Sequence, residues 1–225
     1  MDIPTLSMDE ELKALWPETR LGCLFYETET READAALRER TEALLPSLRA
    51  TLESTPLADM PNLGEARAAY RAFGKDPGRW RISSEALYRR VRQNKDLYRI
   101  NSVVDVNNLV SLETGFSLGS YDLDAVGAAT VFRLGREGET YAGIGKGGID
   151  LCRMPLLADG QGPFGSPTSD SARTMITPGT RRVLTVIYAF SARDRLESAL
   201  ALAAERFAVF ADAVRLRTGI IDGAA

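Results

Sequence analysis

The stretch from Arg99 to Asp124 reads RINSVVDVNNLVSLETGFSLGSYDLD, and its first half is spaced as a helix with an unusual polar side. On a wheel of roughly 100° per residue, Val103, Val106, Leu109 and Val110 share one face. The opposite face carries Asn101, Asp105, Asn107, Asn108 and Ser111. A solvated helix face ordinarily carries Lys, Glu, Arg or Gln, whereas Asn and Asp compete with the backbone for hydrogen bonds and are poor mid-helix residues. Two explanations stand. The polar side chains form a buried, satisfied network that fixes a neighbouring loop. Alternatively they line a pocket for a polar ligand, with amides that donate and accept and with Asp105 holding a cationic group such as an amine.

Upstream of this helix the pattern is mostly helical. Met8–Leu15 is a short helical segment, and the apolar, aromatic run RLGCLFYE (Arg20–Glu27) predicts a strand. A charged amphipathic helix is expected from about Thr30 to Leu52, buried through Ala33, Ala36, Leu37, Leu44, Leu45 and Leu48 and kinked or split at Pro46. Short helices are expected over Gly64–Phe73 and, with Ser83 or Ser84 as N-cap and Glu85 in the first turn, over the residues up to Arg92. Downstream of Gly115 strands dominate: Ala128–Gly135, Thr140–Gly145, Ile149–Pro155, a strand-like RTMIT at 173–177, and Arg181–Phe190, the strongest of them. A final amphipathic helix is expected over Arg193–Leu216, with Leu196, Leu200, Ala203, Phe207, Phe210 and Val214 on one face. Helices, then strands, then a helix predict an α+β fold with a mixed or antiparallel sheet and packed helices. No repeat or low-complexity linker interrupts the chain, so a single domain over 1–225 is expected.

Composition limits the chemistry. The chain of 225 residues is 44% hydrophobic and 26% charged, ordinary for a soluble globular protein. The net charge of −3 argues against bulk electrostatic binding of nucleic acid but leaves room for a local basic patch. Only Cys23 and Cys152 are present, so no disulfide framework is expected. The start MDIPTLSMDEEL does not read as a signal peptide, and no run approaches the roughly 18 apolar residues of a membrane span, which makes a cytoplasmic protein the expectation. There is no histidine at all, which removes Ser-His-Asp, Cys-His and imidazole-based catalysis. Neither a P-loop nor a metal-ligand motif occurs, and no cofactor or metal is expected.

Two further stretches carry candidate chemistry. RWRISSEALYRRVRQNKDLYR (79–99) holds Arg79, Arg81, Arg89, Arg90, Arg92, Lys95 and Arg99 against Glu85 and Asp96, with Trp80, Tyr88 and Tyr98 interleaved. Such a segment reads either as a phosphate-contacting strip with aromatics that stack on bases, or as a solvated helix face. GPFGSPTSDSART (162–174) prescribes turns through Gly and Pro. It is either a structured surface turn or a loop whose Thr168, Ser169, Asp170 and Arg173 bind a substrate or orient a water.

Taken together, these stretches resemble the central tRNA-binding and editing module (the B3/B4 domain) of the phenylalanyl-tRNA synthetase beta subunit. They also resemble the free-standing proteins described as related to that subunit. The resemblance rests on Arg99, Ile100, Asn101, Val104, Asp105, Val106, Asn108, Gly115, Asp122, Leu123 and Asp124, on YAGIGKGG (141–148) and on TRRVLTVIYAF (180–190). It covers about Arg79–Phe190, with an N-terminal strand and helix region before it and a C-terminal helix after it. It implies the module's α+β fold, a tRNA acceptor end and an aminoacyl group as partners, no membrane, and hydrolysis of wrongly attached amino acid as the related activity. The chain departs from the family at three pocket positions: Asn107 stands for a threonine, Gly119 for a histidine and Val186 for a glutamate.

The substrate-binding positions implied are Asn101, Asp105, Asn107, Asn108, Ser111, Gly119, Tyr121, Asp122, Gly145, Gly147, Ser169 and Arg173. The seven basic residues of 79–99 are the RNA contacts. For ester hydrolysis without histidine, Thr168 and Asp170 would hold the water and the backbone N–H groups of Gly143–Gly148 would receive the oxyanion. With an ordinary carboxylate pKa, Asp170 would position the water more than deprotonate it. The expected function is therefore recognition of aminoacyl-tRNA with hydrolysis of the mischarged ester. The alternatives are an RNA- or amino-acid-binding module that has lost the chemistry, or a hydrolase of small aminoacyl compounds.

Overall fold

The computed structural model describes residues 3–145 and 147–222. In chain order the elements are β1 (Thr5–Met8), α1 (Glu10–Leu15), β2 (Arg20–Glu27), α2 (Ala35–Ser54), α3 (Leu63–Ala72), α4 (Ser83–Arg92), α5 (Ser102–Thr114), β3 (Ser117–Asp122), β4 (Ala129–Leu134), β5 (Thr140–Ala142), β6 (Gly148–Asp150), β7 (Pro155–Asp159), β8 (Gly162–Gly165), β9 (Arg182–Ala189), α6 (Arg193–Phe210) and β10 (Val214–Ile221). The strands form an antiparallel sheet in the order β10-β2-β9-β3, a mixed sheet in the order β1-β4-β7-β8, and the small β5-β6 pair. The expected α+β class with mixed and antiparallel sheets is the one observed.

The antiparallel sheet divides the interior. Its strands alternate, so each face draws every second residue. One face sends Leu118, Val183, Ile187 and Leu24 toward Val103, Val106, Leu109 and Val110 of α5 and Leu196, Leu200, Ala203 and Phe207 of α6. The other sends Tyr121, Leu184, Val186 and Tyr188 toward Phe132, Leu157 and Phe164 of the mixed sheet and toward Tyr70 and Phe73 at α3. All four apolar residues read from the α5 wheel are fully buried, each contributing roughly 1.5–3 kcal/mol by leaving water. Asn101 caps α5 by accepting from the Val104 N–H at 2.9 Å. Gly115 ends it at φ +80, where a Cβ would meet the Pro61 carbonyl oxygen at 2.3 Å, so no other residue turns the chain into β3 at this point.

Several local expectations change. The first segment splits: Met8 ends a strand paired in parallel with β4, and Asp9 caps a separate short helix. α2 begins after its cap Asp34 and runs unbroken through Pro46, leaving Ala36 exposed rather than buried. The N-cap of α4 is Ile82; Ser84 lies inside the helix and shares a hydrogen bond with Ser117. Of the expected Ile149–Pro155 strand, Ile149 and Asp150 end β6 and Pro155 opens β7, with the chain turning between them at Arg153, φ +60. RTMIT forms no strand; a 3-10 turn at Ala172–Thr174 takes in its first two residues. The last helix stops at Phe210, and Val214, expected on its buried face, is 57% exposed on the edge strand β10. An amphipathic period describes β10 poorly because its pairing with β2 contains a bulge between Val214 and Arg217.

Candidate functional site

A polar side chain can serve a ligand only if its hydrogen-bonding capacity is not already taken by the fold. The five polar residues on the wheel of α5 separate by this criterion. Asn107 lies on the sheet side. Its Nδ2 donates to the Leu118 carbonyl at 3.2 Å and its Oδ1 accepts from Ser120 at 3.2 Å. The Ser120 hydroxyl in turn bonds Thr185 at 2.7 Å, and Thr185 bonds Tyr26 at 3.1 Å. Ser111 is buried on the same arc, and Asn101 is the helix cap. The network explanation holds for Asn107.

Asp105 and Asn108 point elsewhere. Both are half-buried and line a cleft of about 660 Å³ between α2, α5 and the extended segment Lys95–Arg99. Arg38, Arg49, Lys95 and Arg99 contribute four cations to its walls, and Glu42, Asp96 and Asp105 three carboxylates. Asp105 accepts from the Ile100 N–H at 2.9 Å. Partial burial raises its pKa above the usual carboxylate value, against the opposing Ile100 N–H bond and the Arg99 and Arg38 charges. The Arg49 Nε is enclosed and has no hydrogen-bond partner among the described residues. Arg99 pairs loosely with Glu42 at 3.4 Å across the exposed rim. Arg38, Arg49 and Glu42 were not among the residues read from sequence; their i, i+4, i+11 spacing on α2 was the available signal, but the chain that covers that face is far away in sequence.

The basic segment 79–99 is not one surface. Arg89 pairs with the fully buried Glu85 at 2.8 Å, beside Arg67 at 2.6 Å, and so is held by the fold. Arg90 stacks on Tyr98 at 4.0 Å and donates to the Asp96 carbonyl at 2.6 Å, which ties the Lys95–Arg99 segment to α4. Arg79, Arg81, Arg92, Lys95 and Arg99 are exposed. Of the aromatics, Tyr98 is 58% exposed with Arg90 over one face of its ring, whereas Tyr88 is buried, with its pKa pushed up to about 12 by desolvation, and Trp80 carries Lys75 over its ring at 4.3 Å.

The loop residues gather at a different place and are closed in by tyrosines. Asp170 accepts from the Tyr121 hydroxyl at 2.8 Å and from the Ser166 N–H at 3.1 Å, and Tyr121 also bonds Tyr188. Thr168 bonds Tyr70 at 2.8 Å, and the Ser169 carbonyl accepts from Tyr141. Burial pushes the Asp170 carboxyl up to about 6, with the Tyr121 and Ser166 bonds opposing, which corrects the expectation of an ordinary, weakly basic carboxylate. Gly119 and Gly165 flank the Tyr121 ring: a Cβ would meet its hydroxyl at 2.0 Å from Gly119 and 2.2 Å from Gly165. The space a side chain at 119 would use is therefore filled by Tyr121. Val186, paired with Gly119, is fully buried on this same face. Asn107 and Ser120 lie on the other face, so the three family pocket positions do not converge here.

The remaining candidates are placed as follows. Arg173 grips the buried Asp159 with both amino groups, at 3.0 and 3.1 Å, and so braces the β7–β8 hairpin. Asp122 accepts from Thr180 at 2.7 Å. In the glycine turn, Gly143 N–H donates to Gly147 at 3.3 Å and Ile144 N–H to the Asp170 carbonyl at 3.1 Å, while Gly145 and Gly147 are exposed; Lys146 lies outside the described residues. Among the described residues, no group of three or more His, Cys, Asp or Glu is placed to hold a metal ion, and no helix is long and apolar enough to cross a membrane.

Fold and geometry together define an α+β module with a charged cleft between α2, α5 and the Lys95–Arg99 segment. The chain belongs to the B3/4 domain family, whose model matches residues 65–212 and so extends beyond the 79–190 core of the resemblance on both sides. A search of curated proteins finds no match. Among solved structures, the chain is similar to an N-terminal fragment of the phenylalanyl-tRNA synthetase beta subunit from Pyrococcus horikoshii, at 14% identity and a TM-score of 0.47. That match covers 95% of this chain and 50% of the other, so the chain spans about half the length of that fragment.

Proposed function

We propose that this B3/4 domain protein binds tRNA and recognises the aminoacylated acceptor end. The observation that carries the proposal is the meeting of Lys95 and Arg99 with Asp105 and Asn108 in one cleft. Lys95 and Arg99 are exposed cations at the cleft, suited to phosphates, and Tyr98, with Arg90 over one face of its ring, offers the other face to a terminal base. Asp105 supplies a negative charge for the ammonium that distinguishes a charged tRNA from an uncharged one. Unfractionated tRNA should bind with an affinity that falls steeply with salt. Lys95→Glu and Arg99→Glu should each weaken it about tenfold at low salt and flatten the salt slope, with Arg89 left intact because it holds Glu85. Binding that ignores both substitutions would refute the surface.

A second reading, hydrolysis of the aminoacyl ester, draws its support from Asp170. Its carboxyl, pushed up to about 6 by burial, is more basic than an ordinary carboxylate and sits in the loop bridged to the glycine turn. Tyr121 and Ser166 both bond Oδ1, so a water would have to reach Oδ2 through the tyrosine enclosure. A deacylation panel of mischarged tRNAs with Asp170→Ala as control tests it. Turnover that survives the substitution removes Asp170 from the chemistry, and no turnover on any member leaves the binding function alone.

A further inference from the structure

We infer that the free edge of β10 is an interface with a second copy of this chain, joined strand to strand about a two-fold axis. The antiparallel sheet has two edges, and they differ. β3 closes one edge, with Ser117–Tyr121 buried. β10 forms the other; it pairs with β2 on one side, and among the described residues no strand pairs with its outer side. Arg217, Thr218 and Gly219 are exposed there, and Val214 at its start is 57% exposed. An open strand edge presents a row of backbone donors and acceptors ready for another strand, and proteins usually blunt it with bulges or charges. Here the bulge is confined to Val214–Arg217, and Arg217–Ile221 run in unbroken register with β2.

The side chains along this edge fit a second copy. Alternation puts Leu216, Thr218 and Ile220 on the α6 face, where Leu216 and Ile220 pack half-buried against the cluster under α6. Arg217, Gly219 and Ile221 point to the other face, where Ile221 meets the core between the sheets. Residues directly opposite in an antiparallel pair share a face, so the two-fold axis must pass through a residue. An axis at Arg217 sets two like charges opposite each other, which is unfavourable. An axis at Gly219 leaves the central pair without side chains. An axis at Thr218 sets Thr218 against its own copy and Leu216 against Ile220 of the second copy. It also puts Arg217 beside Gly219 of the second copy, where a Cβ would meet nothing within 4 Å. The register centred on Thr218 is the self-complementary one.

The helix above the edge agrees. α6 turns Arg206 toward α5, where it pairs with Glu113 at 3.0 Å. About half a turn round the helix, on the flank beside β10, stand Ala201 and Ala208, both exposed, and Ala204, half-buried. Such small side chains let α6 and its copy approach to the roughly 8–10 Å of packed helices. The flank matters because a specific interface buries about 1,200–2,000 Å² in total, more than one strand edge supplies. The joined sheet runs β3-β9-β2-β10 and then in reverse through the second copy. α5, which packs on β3 at the far edge, stays clear of the join.

Sedimentation velocity on the full chain, across micromolar concentrations, measures its mass. A dimer is expected, shifting toward a single chain on dilution. Thr218→Lys and Thr218→Glu each set a charge against its own copy at the axis, and each should sediment as a single chain. Mixed in equal amounts, the two variants should recover the dimer, because opposite charges then meet at the axis. Recovery on mixing separates a broken interface from a folding defect, since mixing does not restore misfolded chains. A single-chain mass at every concentration would overturn the inference. So would a dimer that Thr218→Lys leaves intact, or charge variants that stay single chains when mixed.

Discussion

The two polar regions of this protein are built from similar residues and end in opposite states. Around Asp170 the hydroxyls of Tyr121 and Tyr188, the Ser166 N–H and the Tyr70–Thr168 pair use one another's capacity, and the cluster is closed by aromatic packing, with Tyr121 against Phe164 at 5.1 Å and Tyr188 against Phe132 at 5.5 Å. Around Asp105 the carboxylate, an amide and a guanidinium stand in a cleft of about 660 Å³ with much of their capacity unused. The first region stabilises the contact between the two sheets. The second is available to a ligand. Residue type alone does not separate a structural network from a binding site; what separates them is whether the partners come from the same chain.

The comparison breaks most visibly at Gly119. Adding one methyl group there places a carbon on the Tyr121 hydroxyl, so Gly119→Ala should cost about 3 kcal/mol in chemical denaturation. Combined with Tyr121→Leu, which removes the clash, the loss should fall clearly short of the sum of the two single losses. Full additivity would mean that the ring does not fill that space.

The Asp170 cluster also carries a pH signature. Its carboxyl is raised from 3.8 to about 6, so the folded protein favours the neutral form. That contribution is complete below about pH 4 and is lost as pH rises through about 6. Asp170→Asn keeps the acceptor for Tyr121 and Ser166 without the charge. Compared at each pH, the variant should be the more stable protein above pH 6, by about 1–3 kcal/mol, with the gap closing toward pH 4. A gap of constant size across that window would show that the carboxyl does not titrate there.

The smallest change sharpens the comparison within one helix. Asn107→Ala leaves the Ser120 hydroxyl and the Leu118 carbonyl short of a partner and should cost about 1–3 kcal/mol. Asn108→Ala, one residue on, lines the open cleft and should stay within about 0.5 kcal/mol of the parent in stability. If both substitutions destabilised alike, the division of the polar face would be wrong.

How much of this could be read beforehand varies by element. The strands Arg20–Glu27 and Arg182–Ala189, the apolar face of α5 and the bounds of α3 and α4 within a residue were legible because each rests on a local period. The edge strand β10 and the short β1 were not, since both are strands through pairing with distant partners, β2 and β4. The basic segment was legible as a charge count, but not the division that gives Arg89 to Glu85 and leaves Lys95 and Arg99 at the cleft. Membership of the B3/4 domain family was legible in the motifs around α5.

Sequence alone determined the class of fold, the buried stripe of α5 and the exclusion of histidine chemistry, because composition and helical or strand period act over a few residues. Only the tertiary structure decided which polar residues are spent. Asn107 and Asn108 are neighbours in the chain, of one type, turned apart by a single step of the helix. One faces a sheet that supplies its hydrogen bonds and the other faces α2 and an open cleft. The angle is set by the helix. What lies at that angle is set by chain tens of residues away, and no local pattern records it.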